Sequence, residues 1–86
     1  MKTIVSLKDT ATQVYGSPFV VHLPAEAVRS LRTEVNSKEK SAIAQYADDY
    51  ELYSVGEFDE LSGKIVPLDV PSLICRAKDL REPSAS

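Results

Sequence analysis

The sequence holds one cysteine, three glycines and no long apolar run, and each shortage removes a class of protein. A lone Cys75 cannot close an intramolecular disulfide, which leaves out a secreted disulfide scaffold and a four-cysteine zinc module and points to a reducing compartment. Gly16, Gly56 and Gly63 stand apart from one another, so no glycine-rich phosphate loop is available. Residues 1–9 carry only a few apolar side chains before Lys8 and Asp9, too few for a signal-peptide core, and no segment reaches the length of a membrane span. A soluble cytoplasmic protein without membrane association is expected.

What is present is one small, mildly acidic domain. The chain has 86 residues, with 10 Lys+Arg against 13 Asp+Glu and a net charge of -3. A chain of this length buries roughly 60–65% of its unfolded surface, enough for a single core. Hydrophobic residues at 43% beside 27% charged lie in the ordinary globular range. A single domain is expected over residues 1–81, with residues 82–86 as a disordered tail that has nothing to bury.

Alternation of β-branched and apolar residues over residues 2–8 predicts a strand, with a turn at Asp9-Thr10, renewed extension over residues 12–15, and a break at Gly16-Ser17-Pro18 before Phe19-Val20-Val21. Pro24 suits a first helical turn, and the following residues to Asn36 contain neither Gly nor Pro. At 100° per residue, Ala27, Val28, Leu31 and Val35 form one apolar stripe. Arg29, Arg32 and Asn36 then share one solvent flank, and Glu26, Ser30 and Glu34 the other. Residues 50–58 alternate again, placing Tyr50, Leu52, Ser54, Gly56 and Phe58 on one face and Glu51, Tyr53, Val55 and Glu57 on the opposite one. Turn residues 59–64 lead to a returning strand over residues 65–68, in which Pro67 requires a sheet edge. Residues 72–80 fit a helix and a strand equally well. The fold class is α+β: a small antiparallel sheet with one main amphipathic helix on one face.

The chemistry on offer is sparse. His22 and Cys75 lie in unrelated segments, and the plainer reading is a junction histidine and a small buried thiol, so no enzyme, metal or cofactor is expected. Residues 48–60 contain Asp48, Asp49, Glu51, Glu57, Asp59 and Glu60 and no Lys or Arg, a local charge of -6. Their spacing matches no calcium loop, and a solvated edge that discourages sheet-to-sheet aggregation is the plainer reading. The basic residues are segregated elsewhere. Arg29 and Arg32, extended by Lys38 and Lys40 and assisted by Asn36, form a stripe able to hold phosphates, against the ordinary alternative of solvated or ion-paired arginines. Tyr53 is the best exposed aromatic, but carboxylates beside it disfavour stacking on a nucleic acid, and one helix covers only one sheet face. Tyr53 and Val55 are therefore expected to pack against a second copy.

The order of segments carries a family resemblance. The opening Met1-Lys2-Thr3-Ile4-Val5-Ser6-Leu7-Lys8-Asp9, the Pro18-Phe19 step, Ala27-Val28-Arg29-Ser30, Glu34-Val35-Asn36, and Asp49-Tyr50-Glu51-Leu52-Tyr53-Ser54-Val55-Gly56-Glu57-Phe58-Asp59 followed by Ser62-Gly63-Lys64 together resemble the small nonstructural protein of gokushoviruses, microviruses with circular single-stranded DNA genomes. The resemblance runs from Met1 to about Ala77 and is most specific over residues 49–64. Ala47 is a departure, since relatives often carry Pro before the paired acids. The resemblance implies a counterpart of microvirus protein C, a nonstructural factor of the switch to single-strand synthesis and genome packaging in the host cytoplasm. The expected function is noncatalytic single-stranded DNA binding by a homodimer through Arg29, Arg32, Asn36, Lys38 and Lys40. The alternative is an adapter that docks Asp48, Asp49 and Glu51 on a replication or packaging protein.

Overall fold

Alternating side chains and a 12-residue helix opened by proline give two layers, with an antiparallel sheet on one side and the helix on the other. The computed structural model describes residues 1–38 and 41–83. In chain order the elements are β1 (Lys2–Asp9), β2 (Val14–Tyr15), β3 (Phe19–Val21), α1 (Pro24–Val35), α2 (Ala42–Gln45), β4 (Tyr50–Phe58) and β5 (Ile65–Arg76), with 3-10 turns at Ala47–Asp49 and Ala77–Leu80. The sheet runs β2-β1-β4-β5, and β3 pairs with the same edge of β1 as β2 does. All pairings are antiparallel.

The helix forms where its stripe demands. Leu23 offers no side-chain acceptor at the N-cap, and Glu26 compensates, its carboxylate accepting the Leu23 N–H at 3.0 Å. Ala27, Leu31 and Val35 are buried against Val5, Leu52, Ala47, Ala77 and Leu80, with Val28 half-buried beside them. Full burial of a Val or Leu side chain contributes about 1.5–3 kcal/mol, so this cluster is the main source of stability. Ala47 is fully buried at the start of its 3-10 turn, so the chain approaches β4 through the core.

Two sequence expectations need correction or completion. β5 does not stop at Leu68 but continues to Arg76, and the ambiguous segment resolves into strand followed by the 3-10 turn Ala77–Leu80. The strand pattern was hidden because four residues, Leu68, Asp69, Val70 and Pro71, intervene between the pairings of Pro67 with Gly56 and of Ser72 with Ser54. The expected faces of β4 also fail beyond Ser54. Register slips there, so that Ser54 lies opposite Val5 while Gly56 lies opposite Ile4. Glu57 consequently pairs with Thr3, on the helix-covered side of the sheet, and does not share the face of Tyr53 and Glu51. Pro67 does occupy an edge strand, because β5 is last in the sheet.

The turn from β4 to β5 is built by Asp59. Its carboxylate accepts the Leu61 N–H at 3.0 Å and the Ser62 hydroxyl at 2.9 Å, and Gly63 supplies the left-handed backbone, φ 77°. Gly56 answers a different need, since a Cβ there would meet the Val66 carbonyl oxygen at 2.7 Å.

Candidate functional site

Helical phase leaves Arg29 and Arg32 exposed on α1, as the sequence predicts, with Arg32 near enough to Cys75 to act on its thiol. Among the described residues the ion pairs within 4.0 Å are Lys2 with Glu60 and Arg76 with Glu51, so both helix guanidinium groups are without a carboxylate partner. Arg32 also stands in the last turn, where a cation is favoured by the helix dipole. Lys38 follows and is exposed. Lys40 lies outside the described residues.

Asn36 has a different task. Its side-chain amide donates to the carbonyls of Arg32 at 2.8 Å and Leu80 at 2.9 Å, and its Oδ1 accepts the Glu82 N–H at 2.8 Å. Both amide hydrogens are consumed inside the chain, so Asn36 ties the end of α1 to the C-terminal segment and offers no donor to a ligand. That bond also holds Glu82 in place, at the start of the expected tail; residues 84–86 lie outside the described residues.

The face of the sheet away from α1 carries a second cluster, which sequence reading found only in part. The register sets Lys8 opposite both Glu51 and Tyr15. Tyr15 and Tyr53 meet edge to face, centroids 5.5 Å apart at 70°, and the Lys8 ammonium lies 5.2 Å and 5.8 Å from the two rings. The Tyr53 hydroxyl donates to Glu51 at 2.9 Å, and the Arg76 Nε donates to the other oxygen of Glu51 at 3.3 Å. The Glu51 carboxylate, by accepting the phenolic proton, holds the Tyr53 pKa above its ordinary value, with desolvation adding to the effect. The contribution of Tyr15 was missed because the hairpin that brings it back turns on Gln13, φ 63°, a residue type that gives no signal for a left-handed position.

The acidic run does not form one surface. Glu51 is paired with Arg76 and Glu60 with Lys2, while the carboxylate of Asp59 closes a turn. Asp48 is exposed, and Asp49 uses its backbone carbonyl to accept the N–H and the hydroxyl of Thr10 at 2.7 Å and 3.0 Å. Val55 is half-buried at the register slip.

An apolar cleft of 260 Å³ is lined by Leu7, Phe19, Ala27, Leu31, Ile43 and Leu52 together with Ser30 and Glu34; neither His22 nor Cys75 reaches it. His22 is exposed, whereas Cys75 is half-buried and its thiol pKa is raised, mainly by burial and then by Asp79. Among the described residues no three His, Cys, Asp or Glu side chains converge to hold a metal ion, and no helix is long and apolar enough to cross a membrane.

No curated protein and no solved structure matches the chain. Residues 2–80, nearly the whole folded region, match the family described as Phage ORF5 protein. With its sheet, helix and both 3-10 turns inside that match, the chain belongs to the Phage ORF5 protein family.

Proposed function

We propose that this phage protein is a noncatalytic, single-stranded DNA-binding factor of genome synthesis and packaging, acting in the host cytoplasm as the gokushovirus counterpart of microvirus protein C. The observation that carries the reading is the exposed pair Arg29 and Arg32 on one helix, without a carboxylate partner among the described residues, in a chain whose net charge is -3. In an acidic protein, exposed cations on one helix keep a local attraction for phosphates that the total charge would not predict. Lys38 extends that attraction past the helix end, and Asn36 serves it by fixing where the helix stops. The resemblance of the Ala27-Val28-Arg29-Ser30 segment supports Arg29 in particular.

Fluorescence anisotropy of labelled single-stranded DNA over a salt series tests the reading. Each phosphate contact contributes about -0.7 to the log-log slope of affinity against salt. Replacing Arg29→Glu together with Arg32→Glu removes two contacts per chain and reduces the slope by about 1.4, with the circular dichroism unchanged because both side chains are exposed. Binding that is absent, or independent of salt, in the folded wild-type protein overturns it.

A further inference from the structure

The sheet face away from α1 brings two aromatic and two cationic side chains together, and it does so against the order of residues along β4. In that order Tyr53 stands between Glu51 and Glu57, two carboxylates that would repel a phosphate backbone from a stacking ring. The fold disarms both. The register slip after Ser54 sets Glu57 opposite Thr3, on the other face of the sheet. Glu51 stays beside Tyr53, but one of its oxygens accepts the Tyr53 hydroxyl at 2.9 Å and the other accepts the Arg76 Nε at 3.3 Å, so its charge is compensated inside the cluster.

What remains is a cationic aromatic surface. Lys8 lies opposite Tyr15 and Glu51 in the ladder, its ammonium 5.2 Å and 5.8 Å from the Tyr15 and Tyr53 rings, and among the described residues no carboxylate comes within 4.0 Å of it. Lys8 and Arg76 against Glu51 leave one positive charge in excess, on a chain whose total is -3. Arg76 donates to Glu51 through Nε and its side chain is 52% exposed, which leaves guanidinium donors for a phosphate. The rings meet edge to face with centroids 5.5 Å apart, and Tyr15 keeps 39% exposure with that contact made. Leu73, opposite Tyr53 in β5 and exposed, continues the apolar surface.

Aromatic rings beside unneutralised cations are the combination that holds single strands without reading sequence, because every base has a face to stack and every nucleotide a phosphate to attract. A duplex keeps its base faces in its own stack, so such a surface selects the single strand. We infer that this sheet face is a base-stacking subsite for single-stranded DNA, in which a base lies on the Tyr15 and Tyr53 rings and the adjoining phosphates meet Lys8 and Arg76. The inference rests on the single-stranded DNA reading above and adds a second contact region to it, since Arg29 and Arg32 belong to α1, which packs on the opposite side of the sheet.

Anisotropy titrations of the full chain with labelled oligothymidylate and with an abasic strand of equal length separate the two. Both strands carry the same phosphates, so the abasic strand is expected to bind at least about 5- to 150-fold more weakly, the range for one stacked base. Tyr15→Ala, with circular dichroism unchanged, should cost oligothymidylate a similar factor and leave the abasic strand unaffected, while Tyr15→Phe keeps the ring and the wild-type affinity. The chain has four tyrosines and no tryptophan, so stacking also reads out as quenching of its intrinsic fluorescence by oligothymidylate and not by the abasic strand. Lys8→Gln lowers the salt slope by about 0.7. Equal affinity of the wild type for the two strands, with the salt slope intact, overturns the stacking subsite and leaves the phosphate-binding reading standing; failure to bind either strand overturns both. Tyr15→Ala that weakens the two strands alike overturns the subsite by showing a purely structural role. A sedimentation mass above 9.4 kDa that Tyr15→Ala returns to 9.4 kDa, with affinity for oligothymidylate unchanged, overturns it by giving the face to a second copy.

Discussion

The two halves of the β4–β5 hairpin share strands, pairing and hand, yet differ in what lies on them. Near Leu52 and Cys75 the ladder is covered by α1 and by the turn Ala77–Leu80; near Phe58 and Ile65 it is bare. Backbone hydrogen bonds continue through both, so ladder formation does not require a filled face. Stability depends on cover, and the uncovered half is retained without contributing much to it.

The comparison breaks most readily at matched leucine and isoleucine truncations. Leu52→Ala, at 1% exposure, is expected to lose about 2–5 kcal/mol in denaturant unfolding, while Ile65→Ala stays within about 0.5 kcal/mol. Equal losses would mean that the distal half is as much a part of the core as the proximal one. Asn36→Ala comes next, at about 1–3 kcal/mol, because it leaves the carbonyl of Leu80 and the N–H of Glu82 without their partners. Amide exchange should rise around residues 80–82 and not at the hairpin tip. Gly63→Ala is smaller, about 1 kcal/mol: a Cβ there meets nothing within 4 Å, and only the positive φ is strained.

Proton linkage sharpens the same contrast with the weakest effects. In the distal turn, hydrogen bonds from Ser62 and Leu61 lower the Asp59 pKa below 3.8, so its stabilisation is present above that value and lost as pH falls through the folded one. In the proximal cluster, the hydrogen bond to Glu51 raises the Tyr53 pKa above 10.0, so that stabilisation is present below 10 and lost as pH rises through the folded value. Thermal unfolding over pH should therefore show an acid-side sensitivity removed by Asp59→Asn and an alkaline-side sensitivity removed by Tyr53→Phe. Exchange of the two effects between the variants would contradict the assignment.

Local signals made much of this legible. Alternation over β1, proline at the first turn of α1 and the stripe Ala27, Leu31 and Val35 are short-range patterns, and the exposure of Arg29 and Arg32 follows from helical phase alone. What escaped depends on distant partners. The slip that sends Glu57 to the opposite face is decided by pairing with Ile4 and Val5, and the clamp of Asn36 closes on residues 44 and 46 positions away. The length of β5 was masked for the same reason, since residues 68–71 interrupt its alternation at a slip in its pairing with β4, between Ser54 and Gly56.

Amide hydrogen exchange at two protein concentrations tests the division of the hairpin most directly. Protection over residues 50–54 and 72–76 should be high and independent of concentration, because α1 covers that half within one chain. Protection over residues 64–70 should be low at both, because no described part of the chain covers that half. Protection that is uniform along the hairpin at both concentrations would contradict the account.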